Sequence, residues 1–160
     1  MRPDPLTERQ DDWFHRHCGP SQGHQHLPEG SLFYHGFRQG APVLDNGRAL
    51  WITPFLEEAA DYAQAAGQRP GTGVLALRLS ESLVLRRTRT SAARFLGHFD
   101  PSREWPDRHA RYARRLHAWG CRNQLPGLIE EHGSIVLFLA ADYLETVGNQ
   151  ERHLPGPVLS

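Results

Sequence analysis

The chain has 160 residues, 39% of them hydrophobic and 22% charged, with 18 basic and 18 acidic residues that cancel to no formal net charge. This is the balance of one folded globular domain and not of a disordered polyelectrolyte, and nowhere does the run of about 18 apolar residues needed for a membrane helix occur. Cys18 and Cys121 stand far apart and are read as free thiols, since two cysteines cannot staple a small secreted scaffold.

The opening "MRPDPLTERQDDW" carries no apolar run of the signal-peptide kind. Thr7 and Gln10 have capping-box spacing and Gly19 can close the element, so a helix is predicted over about 8–18, with Trp13, Phe14 and His17 on its buried side. A loop rich in Pro, Gly and His then leads to "LFYHGF" at 32–37, an aromatic strand interrupted by His35 and Gly36. Glycine weakens a strand and marks close approach by a ligand or another backbone, which singles this pair out as a candidate site. "DNG" at 45–47 signals a turn and "RALWIT" a further strand.

"TPFLEEAADYAQAAG" is the clearest helix. Thr53 suits the N-cap, Pro54 the first helical position, Glu57 and Glu58 the positive end of the dipole, and Gly67 the stop. Leu56, Ala59, Ala60, Ala63 and Ala66 form its inward stripe, with Phe55 and Tyr62 beside it. "GVLALRL" at 73–79 reads as a strand with Leu75, Leu77 and Leu79 on one face. "PDRHARYARRLHAWG" reads as a second helix, from Pro106 to Gly120, with Tyr112, Ala113, Leu116 and Trp119 inward and Arg108, Arg111 and Arg115 outward. "NQLPGLIEEHGSIVLFLAADYLETVG" reads as two strands joined at His132-Gly133. The mixture of strands and helices without regular βαβ alternation points to an α+β domain over residues 1–150, opening with the helix and loop of 1–29 and closing on a loose tail at 151–160.

All 18 basic residues are Arg; there is no Lys. Guanidinium groups fork onto phosphates and stack better than ammonium groups, so the bias suits a nucleotide or RNA ligand, although a codon bias produces it too. Between Arg86 and Arg122 lie ten Arg against Asp100, Glu104 and Asp107, a local excess of seven positive charges.

Taken in order, "LFYHG", a turn, "GRALWITP", a helix with "AADYA", the strand "GVLALRL" and the final "SIVLFLAADYLETVG" resemble the ADP-ribosyltransferase superfamily, over roughly residues 30 to 148. The similarity is to small bacterial members of the His-Tyr-Glu class, which includes diphtheria toxin and poly(ADP-ribose) polymerases. It implies a split β-sheet with flanking helices, NAD as co-substrate in a cleft between the strand groups, and no metal. His35 would hydrogen-bond the adenosine ribose, and Gly36 would let the dinucleotide pass close to the backbone beside Tyr34. Trp51 stands where the family usually has a Tyr stacked on nicotinamide, a sensible exchange because Trp presents the best face to a cation. Thr53 and Tyr62 would line the same cleft. The family's catalytic Glu usually opens the strand that begins here with Ser134; Glu130 and Glu131, just before the turn, are the candidate carboxylates, Glu131 being nearest in sequence, with Gln124 as another polar candidate. Phe37 replaces the small hydroxyl residue that usually follows His-Gly. The resemblance implies a transferase of ADP-ribose to a macromolecule or small molecule, a toxin or effector with an antitoxin or immunity partner, cytoplasmic or exported without a cleavable signal peptide.

Two other readings share the fold. "GQRPGTGVLAL" with Arg69 resembles a segment of the related RNA 2′-phosphotransferases, to which the Arg-rich region would offer phosphate contacts, but the expected His is missing from "LWIT". The departures at Phe37, Trp51 and Ser134 suit a catalytically degenerate module that binds a nucleotide or a partner. Zinc held by "HRHCGPSQGHQH" (His15, His17, Cys18, His24, His26) is a third idea, although the spacing fits no common structural pattern.

Overall fold

The computed structural model describes residues 23–38, 40–45, 47–64, 70–88, 107–130 and 133–151, and of 107–112 the backbone alone. The helix expected over 8–18 and residues 152–160 of the expected tail lie outside them.

In chain order the elements are β1 (His24–Leu27), β2 (Leu32–Phe37), β3 (Leu50–Ile52), helix α1 (Leu56–Gln64), β4 (Gly73–Leu79), β5 (Leu83–Arg87), helix α2 (Asp107–Asn123), β6 (Gly127–Ile129), β7 (Ile135–Leu137), the single turn α3 (Ala140–Tyr143) and β8 (Leu144–Glu151). The strands divide into a five-stranded sheet, β1-β5-β6-β7-β3, and a three-stranded sheet, β2-β4-β8. Among the described strands only β5 and β6 pair in parallel, and the chain between them contains α2, the kind of crossover that a parallel pair requires. The α+β expectation holds.

Period-two alternation sorts the side chains. Phe33, Phe37, Leu75, Leu77 and Leu79 of the smaller sheet meet Leu50, Ile52, Leu85, Ile129, Ile135 and Leu137 of the larger one in a shared core. On the opposite face of the larger sheet, Leu128 and Val136 pack with Leu116 and Trp119 of α2 and with Phe138, whose ring meets Trp119 edge-on at 5.6 Å. The layers therefore run α1, small sheet, large sheet, α2.

Gly36 is explained by the first of these contacts. A methyl group there would overlap the Ala59 carbonyl oxygen and lie 3.3 Å from Tyr62 Cδ1, so the close neighbour of this strand is the backbone of α1. Ala59 and Ala63 are buried as expected, but Leu56 and Phe55 are 42% and 61% exposed: the helix meets the sheet on its alanines, and Leu56 is not part of the buried contact.

Three strands lack the pattern by which sequence marks a strand. His24–Leu27 is mostly polar, as a loop is, yet it is a strand paired with β5. Leu83–Arg87 carries only two buried side chains, and in β8 only Leu144 is buried. What makes β8 a strand is its ladder to β4, from Leu79↔Leu144 to Gly73↔Glu151 with one register shift at Ala76/Leu77. The second helix also runs past Gly120. A side chain there would come within 2.5 Å of Phe138 Cβ, so this glycine serves packing, and the helix ends at Asn123 instead. Gln124 has φ 55° and Leu125 N donates to Gly120 O at 2.9 Å, the left-handed termination of a Schellman cap.

Candidate functional site

The two sheets touch at a seam. Tyr34 and Thr53 exchange both backbone hydrogen bonds, 2.7 and 2.9 Å, in an isolated bridge between β2 and β3, which otherwise belong to different sheets. Next to that bridge the half-buried His35 donates from Nδ1 to the Trp51 carbonyl at 2.6 Å. A carbonyl can only accept, so the proton is assigned to Nδ1, and Nε2 is the nitrogen with a lone pair in the neutral ring.

The register sends the two side chains to opposite faces. His35 shares a face of β2 with Phe33 and Phe37 of the inter-sheet core, whereas Trp51 alternates with Leu50 and Ile52 of that core and packs beside the cluster under α2. His35 thus meets the backbone of Trp51.

The Trp51 indole donates from Nε1 to Glu130 Oε1 at 2.8 Å. Glu130 is 9% exposed, at the end of β6, and its amide donates to the Ser134 carbonyl at 2.8 Å. Gly133, with φ 89°, permits the tight return, and its amide donates to Glu130 O at 2.9 Å. Since Ile129 pairs with Ile135, Glu130 is the cross-strand neighbour of Ser134, a spacing of about 5 Å between Cβ atoms on one face. A carboxylate therefore stands one strand away from the position that Ser134 occupies. Burial of a carboxylate costs several kcal/mol unless hydrogen bonds compensate it, and the indole donor is one such bond. Glu131 lies outside the described residues.

The remaining candidates have structural duties. Thr53 Oγ1 accepts from the Phe55 amide at 3.2 Å and donates to Glu58 Oε2 at 3.1 Å, so it caps α1. Thr53→Ala is expected to lower unfolding stability by about 1 kcal/mol in a urea titration, with Thr53→Ser close to wild type. Tyr34 is half-buried, and its backbone forms the bridge. Tyr62 is 43% exposed and lies under the Arg38 guanidinium, 4.0 Å from ring centroid to Cζ, while Arg38 Nε donates to Tyr62 O at 2.9 Å. Nothing in the sequence flagged that Arg38 pairing. Gln124 contributes its backbone to the cap of α2, and Arg69 lies outside the described residues.

A groove of about 330 Å³ runs between α1 and the smaller sheet, lined by Leu56, Ala60, Ala63, Thr72, Gly73 and Val74 among others. It shares no residue with the chain His35, Trp51, Glu130. Among the described residues no three His, Cys, Asp or Glu side chains gather as a metal site, and no helix is long and apolar enough to cross a membrane. Cys121 is a free, exposed thiol 3.5 Å from His117 Nε2.

No family model matches this chain, and no curated protein or solved structure is detectably similar to it. Around the edge strand β3 stand an imidazole of defined tautomer on the inter-sheet face and, on the face toward α2, an indole that holds a buried carboxylate; the Trp51 backbone links the two groups.

Proposed function

We propose that the protein is an NAD-dependent ADP-ribosyltransferase. The observation that carries this reading is the Glu130 carboxylate, held by Trp51 across the hairpin from Ser134. A carboxylate at that point supports the reading because it lies beside Ser134, where the family pattern has its Glu. The splitting of the strands into two sheets that meet at one bridge is consistent with the split sheet that the resemblance implies.

In this mechanism Glu130 faces the ribose carbon from which nicotinamide departs and stabilises the oxocarbenium-like transition state, as carboxylates do in glycosidases. The bond to Trp51 keeps the carboxylate from turning away, and the indole offers its face to the positively charged nicotinamide ring. His35, oriented by the Trp51 carbonyl, addresses a hydroxyl of the adenosine ribose through Nε2. The acceptor nucleophile then takes the ADP-ribosyl group.

The test is nicotinamide release from NAD by the purified protein, with a cell lysate as acceptor source. His35→Ala is expected to weaken NAD binding in calorimetry about tenfold, the loss of one hydrogen bond to a bound hydroxyl plus the orientation it gives, with unchanged far-UV dichroism. Binding without release would leave a nucleotide-binding module on this scaffold. Neither binding nor release by the wild type would overturn the NAD assignment.

A further inference from the structure

The charges of this chain cancel in sum, and those of the described residues are unevenly placed. On the half formed by the five-stranded sheet, its β3 approach and α2 lie Arg48, Arg86, Arg87, Arg114, Arg115 and Arg122, against Asp45, Asp107 and Glu130, the last buried against Trp51. On the half formed by the three-stranded sheet, α1 and α3 lie Glu57, Glu58, Asp61, Asp142, Glu145 and Glu151, against Arg38 and Arg78. Five of the six arginines of the first half are exposed and Arg115 is half-buried.

The geometry joins them. Ala49 N donates to Ala113 O, and His117 Nδ1 donates to Phe138 O, each at 2.8 Å, which sets the flank of α2 bearing 113 and 117 at the β3 and β7 side. Arg115 and Arg122 lie on the opposite flank, toward β6, β5 and β1. On the outer face of β1 and β5, His24 pairs with Arg86 and His26 with Val84, and all four side chains are exposed. The basic strip thus runs from the helix onto the sheet.

We propose that this face binds the phosphate backbone of a single-stranded nucleic acid. Guanidinium groups match phosphate oxygens in bidentate pairs, and their planes stack on unpaired bases, which supplies the platform that aromatic residues give elsewhere. A bilayer surface fits less well. The exposed large apolar residues Leu32, Val43, Phe55, Leu56, Tyr62 and Val147 belong to the other half, leaving only Val84 on the basic face among the described residues. The inference stands apart from the transferase reading.

The test is fluorescence anisotropy of a labelled single-stranded RNA of about 20 nucleotides, and of the same DNA sequence, titrated with the whole protein across a salt series. Contacts to about four phosphates give log K against log salt a slope near −3. Arg86→Ala/Arg114→Ala/Arg122→Ala is expected to weaken binding about 30-fold at low salt and to flatten the slope by about 2, while Arg78→Ala, on the far half, changes neither. If the triple variant fails to fold, Arg114→Ala alone carries the test: its slope falls by about 0.7. Nicotinamide release from NAD is expected to be the same in these variants as in the wild type. Absence of binding to either strand, or binding equally lost in Arg78→Ala, would overturn the proposal. So would a polyglutamate peptide that competes as well as the RNA, which would mark an acidic protein as partner, or salt-sensitive self-association without RNA binding, which would mark the acidic half of a second copy.

Discussion

Glu130→Gln is expected to lower the rate of nicotinamide release about 10²–10³-fold, the loss typical when a group stabilising transition-state charge is removed. The substitution is chosen because it separates charge from structure. A glutamine retains a carbonyl oxygen at the same reach, so the Trp51 Nε1 donor, now 2.8 Å from the carboxylate, keeps its acceptor. Thermal unfolding should then stay within a few degrees of wild type. Glu130→Ala, by contrast, strands that indole donor and is expected to cost about 1–3 kcal/mol of stability as well. The comparison to make alongside is Glu131→Gln. Should the rate fall with Glu131 and not with Glu130, the carboxylate of the reaction is the other one, and the bond to Trp51 is a structural cap on a buried acid. A Glu130→Gln protein that turns over at the wild-type rate removes Glu130 from the chemistry.

The largest stability effect is expected at Gly36. Gly36→Ala should destabilise the fold by about 3 kcal/mol, the upper part of the overpacking range, because the new methyl meets the Ala59 carbonyl, which is backbone and cannot rotate away. The entropy that alanine removes from the unfolded chain returns less than about 1 kcal/mol, so the sign is not in doubt. For a domain of this size the midpoint of thermal unfolding should drop by roughly 10 °C. The measurement also decides between two reasons for the glycine. If Gly36→Ala unfolds as the wild type does but loses NAD affinity, the clearance at this position serves a ligand and not the helix.

How much of this was legible beforehand varies with the kind of signal. The Leu75, Leu77 and Leu79 face, the Ala59 and Ala63 contact, and the buried Ala113, Leu116 and Trp119 of α2 follow from periodicity, since a repeat of 2 or 3.6 residues needs no knowledge of the partner. Gly120 read as a helix stop because glycine ends helices more often than it packs inside them; only Phe138, 18 positions later, explains it. The strand β8 carries almost no apolar pattern, because an edge strand held by its hydrogen-bond ladder can leave its side chains in water.

The candidate site shows the same division. The sequence singled out His35 and Gly36 by the aromatic strand they interrupt, and Trp51, Glu130 and Glu131 through the family resemblance. It also determined the α+β class, the firm helices and the uneven spacing of arginine, all of which are local properties of the chain. Tertiary structure alone decided that the Trp51 indole reaches Glu130 across 79 positions, that its carbonyl fixes the His35 tautomer, and that the clearance at Gly36 faces a helix. It likewise decided that, among the described residues, most arginines stand on the half of the larger sheet and most carboxylates on the half of the smaller one. Those outcomes depend on strand register and on which face each sheet turns to the core, and no local pattern encodes a register between strands so distant in sequence.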